Sequence, residues 1–402
     1  MRKTNLLLLL AGLAILVLTG CLETFSSRTA ADDPQSLLPA KPLLKTSSRP
    51  GAYIVTLNEN VDVDAVVNEL KGRHGLGVGH VYHFALKGFS AVVPSGRLQA
   101  LQNDPRVASV EEDLIVYALD QSLPWGIDRI DVDISSTLAG NGSGDVTGVR
   151  IYIIDTGIKS DHPDLQVIGL HDFTGTGDGH DDNGHGTHVA GIAAGRDDTS
   201  FVVGAAPGAP LVAIKVLGAD GSGWTSDIVA GIDFVTADKL ANLGLPMVAN
   251  MSLGGRSATK TAIDAAVQRS INSGVVFCVA AGNDGVDAKN FTPAHVLDAI
   301  TVAAYDNTNR MASWSNYGTL IDLQAPGVAI LSDWFDPAVP TTVLSGTSMA
   351  TPHVTGVAAL YLSRNPGKTP KQVRDQLVAN GKPWVTGLKP KTTNISLYAG
   401  VY

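Results

Sequence analysis

The chain has 402 residues, 44% of them hydrophobic, which is enough to bury a sizeable core and long enough for two or three domains. Its formal net charge is -9; residues 1–119 hold equal numbers of acids and bases, so the whole excess sits on residues 120–402, where every acid is an Asp. That surface argues against nucleic acid as a partner, and two cysteines, Cys21 and Cys278, are too few for a scaffold built on disulfides.

Arg2 and Lys3 precede an unbroken apolar run at residues 6–18. The run is short for a membrane span and reads as the core of a signal peptide. It ends in Leu18-Thr19-Gly20-Cys21, which resembles a bacterial lipoprotein processing box. That resemblance implies a signal peptide at 1–20, a lipid on Cys21 and attachment to the membrane before maturation. The alternative is an ordinary cleavage after Ala30, with Cys21 incidental. Residues 21–50, with Pro34, Pro39, Pro42 and Pro50, read as a linker.

From residue 51 the pattern changes. Apolar runs and one helical face (Val63, Val66, Val67 and Leu70) give the order strand, helix, strand, strand, helix, strand, that of a split βαβ unit of ferredoxin-like α+β type. The second helix is expected at 95–102 and the last strand at 107–110.

The run at 151–154 predicts a buried strand that ends at Asp155-Thr156-Gly157, placing a carboxylate at the strand's C-terminal end, where α/β sheets build their sites. In Asn183-Gly184-His185-Gly186-Thr187-His188 glycines flank a histidine at a helix start. No Glu stands between the two histidines, so this is not a zinc helix, and His188 reads as a packed residue. The loop at 172–183, with Asp178, Asp181 and Asp182, reads as a solvated surface loop. Residues 274–281 predict a buried strand holding Cys278 as an inert core thiol. After it, Asn283 of Gly282-Asn283-Asp284-Gly285 offers an amide that can donate to a developing oxyanion, although the tetrapeptide alone is also a turn. Ser345-Gly346-Thr347-Ser348-Met349-Ala350 leads into small residues that predict a tightly packed helix beginning near Ser348, whose N-terminus favours negative charge. Ala350 breaks the Gly-x-Ser-x-Gly elbow of lipases and esterases.

Each piece has a structural reading when taken alone. Together they run Asp, His, Asn, Ser along the chain, and residues 120–402 resemble the subtilisin-like serine proteases on all four. The resemblance implies a three-layer α/β/α domain with a mostly parallel sheet and a serine endopeptidase mechanism. Ser348 would be the nucleophile, His185 the base, Asp155 its orienter, and Asn283 with the Ser348 backbone N–H the oxyanion hole. Ser252, Leu253 and Gly254 would pair with an extended polypeptide substrate, and Asp284 would stand at the rim of the first pocket and tolerate a basic side chain. Residues 51–119 resemble, more loosely, the family's inhibitory propeptide, and Gln121-Ser122-Leu123-Pro124-Trp125-Gly126 the start of a mature domain. Autoprocessing is then expected between Leu119 and Asp120. Leu119 and, three residues earlier, Val116 suggest apolar-accepting pockets and broad, apolar-leaning specificity. A released, secreted and monomeric mature enzyme is expected, with no further domain after a helix at 370–378.

The family commonly binds calcium. Carried over, one site takes Gln121, Asp164 of His162-Pro163-Asp164, and Asp198 of Arg196-Asp197-Asp198-Thr199; a weaker one takes carbonyls near Leu297 and Ala299 with Asp322. Two rival classes remain open at this stage: a serine esterase, and a lipoprotein that binds peptides through a degenerate protease fold.

Overall fold

A computed structural model describes residues 48–114, 121, 123–198 and 200–402. The expected signal segment, Cys21, most of the linker, and Val116 and the Leu119–Asp120 junction lie outside the described residues.

The chain forms two compact units, divided between Tyr117 and Ala118. The first contains β1 (Ser48–Leu57), α1 (Val63–His74), β2 (Gly77–Tyr82), β3 (Gly88–Val92), α2 (Leu98–Gln102) and β4 (Val107–Leu114). Its strands form one antiparallel sheet in the order β2-β3-β1-β4, the arrangement of a split βαβ unit. Asp62 caps α1 by accepting from the Ala65 N–H, and Gly75 ends it in the left-handed conformation, so both termini carry the residue that local geometry asks for. Val55, Leu70, Phe89 and Leu101 are fully buried at its centre. Three differences from expectation are local: β1 begins at Ser48, inside the expected linker; α2 is shorter than 95–102; and β4 continues to Leu114.

The second unit is built on a seven-stranded sheet whose six pairings are all parallel. Its strands are β5 (Arg150–Asp155), β6 (Val167–Asp172), β7 (Leu211–Lys215), β8 (Met247–Met251), β10 (Val276–Ala280), β12 (Ile300–Tyr305) and β13 (Leu323–Pro326), in the order β13-β12-β10-β8-β5-β7-β6. Two small antiparallel pairs flank it: β9 (Gly255–Arg256) with β11 (Phe291–Thr292), and β14 (Ile330–Asp333) with β15 (Thr341–Leu344). The helices are α3 (Trp125–Arg129), α4 (His185–Ala194), α5 (Thr225–Ala241), α6 (Ala262–Asn272), α7 (Thr347–Arg364) and α8 (Pro370–Asn380).

Alternation along β5 explains the three layers. Ile151 and Ile153 point into a core shared with α4, α7 and α8, while Tyr152 and Ile154 point into one shared with α5 and α6. A strand buried on both faces is apolar nearly throughout, which is why β10 and residues 151–154 of β5 read as unbroken apolar runs and β8 is interrupted only by Asn250. Cys278 lies in β10, fully buried, and burial pushes its thiol up to about 12, so it is a core residue and not a nucleophile.

Because every strand of the sheet runs the same way, β5, β8 and β10 deliver the residues that follow them to a single edge. Asp155, Ser252 and Asn283 leave the sheet there. Helices α4 and α7 begin at the same edge, with His185 and Ser348 in their first turns.

Candidate active site

The site is assembled from the ends of three strands and the starts of two helices. Asp155 closes β5 with no exposed surface. Its Oδ1 accepts from His185 Nδ1 at 2.7 Å and from the Thr156 N–H at 2.8 Å. Since a carboxylate can only accept, Nδ1 carries the proton and Nε2 of the neutral ring is left as an acceptor. Burial works against a charged His185, but the adjacent Asp155 carboxylate, by its charge and its hydrogen bond, and Asp181 outweigh it, and the imidazole lies above its ordinary 6.5.

The two segments meet closely because glycines permit it. A Cβ on Gly186 would lie 2.1 Å from the Gly157 carbonyl oxygen, so no side chain fits where α4 passes the end of β5. Gly184, the N-cap, has φ 106, in the region that favours glycine.

Ser348 is the second residue of α7. Its Oγ donates to the Ser252 carbonyl at 3.1 Å, and it shares one groove of about 810 Å³ with His185, Asn283 and Asp284. The turn is held from below. Pro352 has no N–H, so the Ser348 carbonyl has no i+4 donor inside the helix. Ser252 Oγ donates to that carbonyl at 2.8 Å; Asn250 Nδ2 donates to Ser252 Oγ at 2.9 Å; Thr355 Oγ1 donates to Asn250 Oδ1 at 2.9 Å. Asn283 is fixed by the same helix start: its Oδ1 accepts from both the N–H and the Oγ1 of Thr347, each at 2.9 Å. With the oxygen engaged, the Nδ2 donors are the part of the amide left to bind something else.

Ser252, Leu253 and Gly254 line one wall of the groove and Gly221 to Gly223 line another. Asp284 lines the groove, but it is not free: Arg256 Nε lies 2.5 Å from its Oδ2. The sequence gives no sign of that pair.

One other expectation changes. Asp181 is buried, not solvated, and is bonded within the loop and to α4. His188 and His353 are fully buried beside backbone carbonyls, and burial lowers them to about 3 and about 4, so both are neutral packing residues.

Of the metal candidates, Gln121, Asp164 and the loop at 196–202 come together. Gln121 Nε2 lies 2.6 Å from the Arg196 carbonyl and 3.5 Å from that of Val202, while Asp164 Oδ2 accepts a long bond from the Val202 N–H. Asp164 Oδ1 is buried without a partner, and both oxygens of the neighbouring buried Asp333 are too. Burial raises both carboxyls well above the usual range. Asp198 is exposed and accepts from the Ser200 N–H; it is Asp197 that turns inward, accepting from the N–H groups of Gly140, Gly142 and Gly144. At the second candidate the residues do not fit a metal. Arg374 donates to the Leu297 carbonyl and faces Asp322 Oδ1 at 3.7 Å, so the protein supplies its own cation; Asp322 also accepts from the Thr301 N–H.

Sequence reasoning missed Thr347, Asn250, Thr355, Asp181 and Arg256. For two of them a signal existed: Asn250 is a polar residue inside a fully buried strand, and Thr355 one inside the buried middle of a helix, and buried polar groups need partners.

Known proteins resemble the chain along most of its length. Residues 146–394 match the subtilase family, and residues 52–119 match peptidase inhibitor I9. An extracellular serine proteinase of Thermus sp. (strain Rt41A) is 40% identical, over 95% of this chain and 95% of that protein. A cuticle-degrading serine protease of Orbilia oligospora is 40% identical over 79% of this chain and 76% of its own. The crystal structure of a cold-adapted subtilisin-like serine proteinase, 40% identical, covers 69% of this chain and 98% of its own with a TM-score of 0.60.

Three histidines should separate in a titration. In the Ser348→Ala protein followed by NMR, His185 is expected to titrate above pH 6.5, while His188 and His353 stay neutral down to about 4. A His185 midpoint below 6.5 contradicts the electrostatics described.

Proposed function

The chain belongs to the subtilase family and is a secreted serine endopeptidase made with an I9-type propeptide, and we propose that Ser348, His185, Asp155 and Asn283 carry its chemistry. Ser348 Oγ attacks the peptide carbonyl. His185 Nε2 takes the proton and returns it to the leaving amine, while Asp155 holds the ring and stabilises its charged form. Asn283 Nδ2 and the Ser348 N–H at the start of α7 receive the oxyanion; removing one such donor in a related enzyme costs roughly 100- to 1000-fold in turnover. The observation that carries the reading is the 2.7 Å Asp155–His185 contact opening on the groove that holds Ser348 and the Asn283 amide. The missing esterase elbow and a groove walled by backbone favour an extended polypeptide substrate, paired through main chain at 252–254.

The finer proposals follow. Residues 1–20 are a signal peptide and Cys21 is lipidated, so that the precursor is held at the membrane; 21–50 links it to the propeptide at 51–119, which inhibits until the chain cuts itself between Leu119 and Asp120 and releases 120–402, acting as a monomer. Specificity is broad and leans apolar. Asp284 does not recruit basic side chains, because Arg256 neutralises it.

A calcium ion is proposed at Gln121, Asp164 and the carbonyls of Arg196 and Val202. The orphaned, buried Asp164 Oδ1 supports a fit, as do the Arg196 and Val202 carbonyls from a distant segment; Gln121, whose Nε2 faces those carbonyls, would turn its Oε1 to the ion. Bound there, calcium would supply stability, tying residue 121 to the loop that follows α4.

Three measurements test these readings. In the full-length chain, the wild type should mature to an N-terminus near Asp120 and label with diisopropyl fluorophosphate, while Ser348→Ala stays uncut and unlabelled; equal processing of both removes Ser348 as nucleophile. Arg256→Ala should raise kcat/KM about fivefold for Lys relative to Phe before the scissile bond, the effect of ~1 kcal/mol from one freed rim carboxylate. Adding Asp284→Asn should cancel that gain, and unchanged preference in Arg256→Ala sinks the shielding role. Finally, calcium at about a hundredfold over its dissociation constant should raise the melting midpoint by about 5–10 °C over a chelator. Asp164→Asn should abolish the response, and identical midpoints in calcium and chelator refute the site.

A further inference from the structure

Asp181 is the residue whose surroundings the mechanism above leaves unexplained. It is buried, with 6% of its surface exposed, in the loop before α4. Its carboxylate accepts five hydrogen bonds. Oδ1 takes Thr156 Oγ1 at 2.8 Å, the Asn183 N–H at 3.0 Å and the Gly184 N–H at 2.8 Å. Oδ2 takes the Thr187 N–H at 2.9 Å and Thr187 Oγ1 at 2.6 Å.

These partners flank the two residues that must meet. Thr156 follows Asp155 at the end of β5. Gly184 precedes His185, and Thr187 follows it by two. Thr156 Oγ1 in turn accepts from the Gly186 N–H at 2.9 Å, and the Lys159 N–H donates to Thr187 Oγ1 at 3.0 Å. The bonds therefore form a ring from β5 through Thr156, Asp181 and the first turn of α4 back to Asp155 by way of His185. Gly184, the N-cap, has no side chain to satisfy the free N–H groups of that turn. Asp181, Asn183 and Thr156 do so in its place.

The charge has a second consequence. Asp181 is one of two carboxylates that favour a protonated His185, the other being Asp155. The other ionisable groups packed here are His188, one turn along α4 and neutral, and Lys215 on β7, which donates to the Thr156 carbonyl and pairs with Asp182 at 2.6 Å. Asp182 is partly exposed and its charge is matched by Lys215.

We propose that Asp181 is a positioning residue for the peptidase reaction: it locks the register of β5 against α4 that sets His185 on Asp155, and it favours the imidazolium that forms when His185 takes the Ser348 proton. The inference rests on His185 being the base. An uncharged residue of the same shape would keep the Oδ1 bonds and lose both the acceptor for Thr187 and the charge.

The test uses the full-length chain, with activity expressed per site titrated by diisopropyl fluorophosphate. Asp181→Asn is expected to lower kcat by about 10- to 100-fold with little change in KM, as a misplaced base does. The acid limb of kcat/KM should also move to lower pH: with one carboxylate fewer, His185 gives up its proton more readily. An unchanged kcat per titrated site with an unmoved acid limb, whatever the melting midpoint does, overturns the proposal. If Asp181→Asn yields no mature enzyme, Thr156→Val, which cuts the link between Asp181 and β5, decides: kcat should fall, and Thr156→Ser should rescue most of the loss. A kcat for Thr156→Val equal to the parent's overturns the proposal. His185→Ala run in parallel separates the two levels, since activity surviving there defeats the base assignment itself, whereas its loss beside a fully active Asp181→Asn defeats only the role of Asp181.

Discussion

The structure depends on placing one carboxylate, Asp155, at the end of a central strand with no exposed surface and a histidine against it. A buried carboxyl needs donors in place, and here Oδ1 takes them from its own chain neighbour, Thr156, and from a helix that begins beside it, while Oδ2 is buried without a partner. That requirement shapes what lies nearby. The backbones must approach closely enough to exclude side chains at Gly186, and the first turn of α4 has to find acceptors for its N–H groups without a capping side chain of its own. A parallel sheet meets these needs at one edge, because all its strands end there.

Ser348, the proposed nucleophile, is held by a different device. A proline one turn into α7 deletes the donor that would have satisfied the Ser348 carbonyl. Ser252, from the strand end that also walls the substrate groove, fills the gap. The hydroxyl and amide chain through Asn250 to Thr355 then connects the groove wall to the interior of α7. Ser252 in the groove wall and Ser348, the proposed nucleophile, are thus fixed to the same buried polar network, so that a shift in one strains the other. The small side chains of α7 serve the same end, since they let nearly the whole helix be buried against the sheet.

Much of this was legible in the sequence because it rests on short-range features. Apolar runs mark the strands, a Gly-flanked His and a Ser before small residues mark the two helix starts, and the order Asp, His, Asn, Ser links them. What could not be read is where loop side chains point. Asp181, Asp182 and Asp178 sit in one acidic loop, yet only Asp181 is buried, because the N–H groups it serves belong to α4 and its other partner to β5. Asp197 and Asp198 are neighbours with opposite fates for the same reason: the amides of Gly140, Gly142 and Gly144 draw one inward. Arg256 and Arg374 were invisible as partners of Asp284 and Asp322 because an ion pair across 28 or 52 positions leaves no trace in local pattern.

Helix α4 joins the themes. Its N-terminus carries His185 and is held by Asp181. At its C-terminal end, Gly191 and Gly195 leave room for Asp333 and Asp164, since a Cβ at either would fall 2.7 and 3.2 Å from their carboxyl oxygens, and the Arg196 N–H donates to the Asp164 carbonyl. Carboxylates therefore lie at both ends of this short helix, one bonded to its first turn and facing the reaction, the others packed against its last turn and facing the proposed cation. The two sets do different work. At the N-terminus the charge suits the helix dipole and the charged form of the base; at the C-terminus the dipole is unfavourable, so buried acids there need a compensating proton or cation. A metal at that end would act on catalysis only by keeping α4 in place, which is why it belongs to the stability of the enzyme and not to its chemistry.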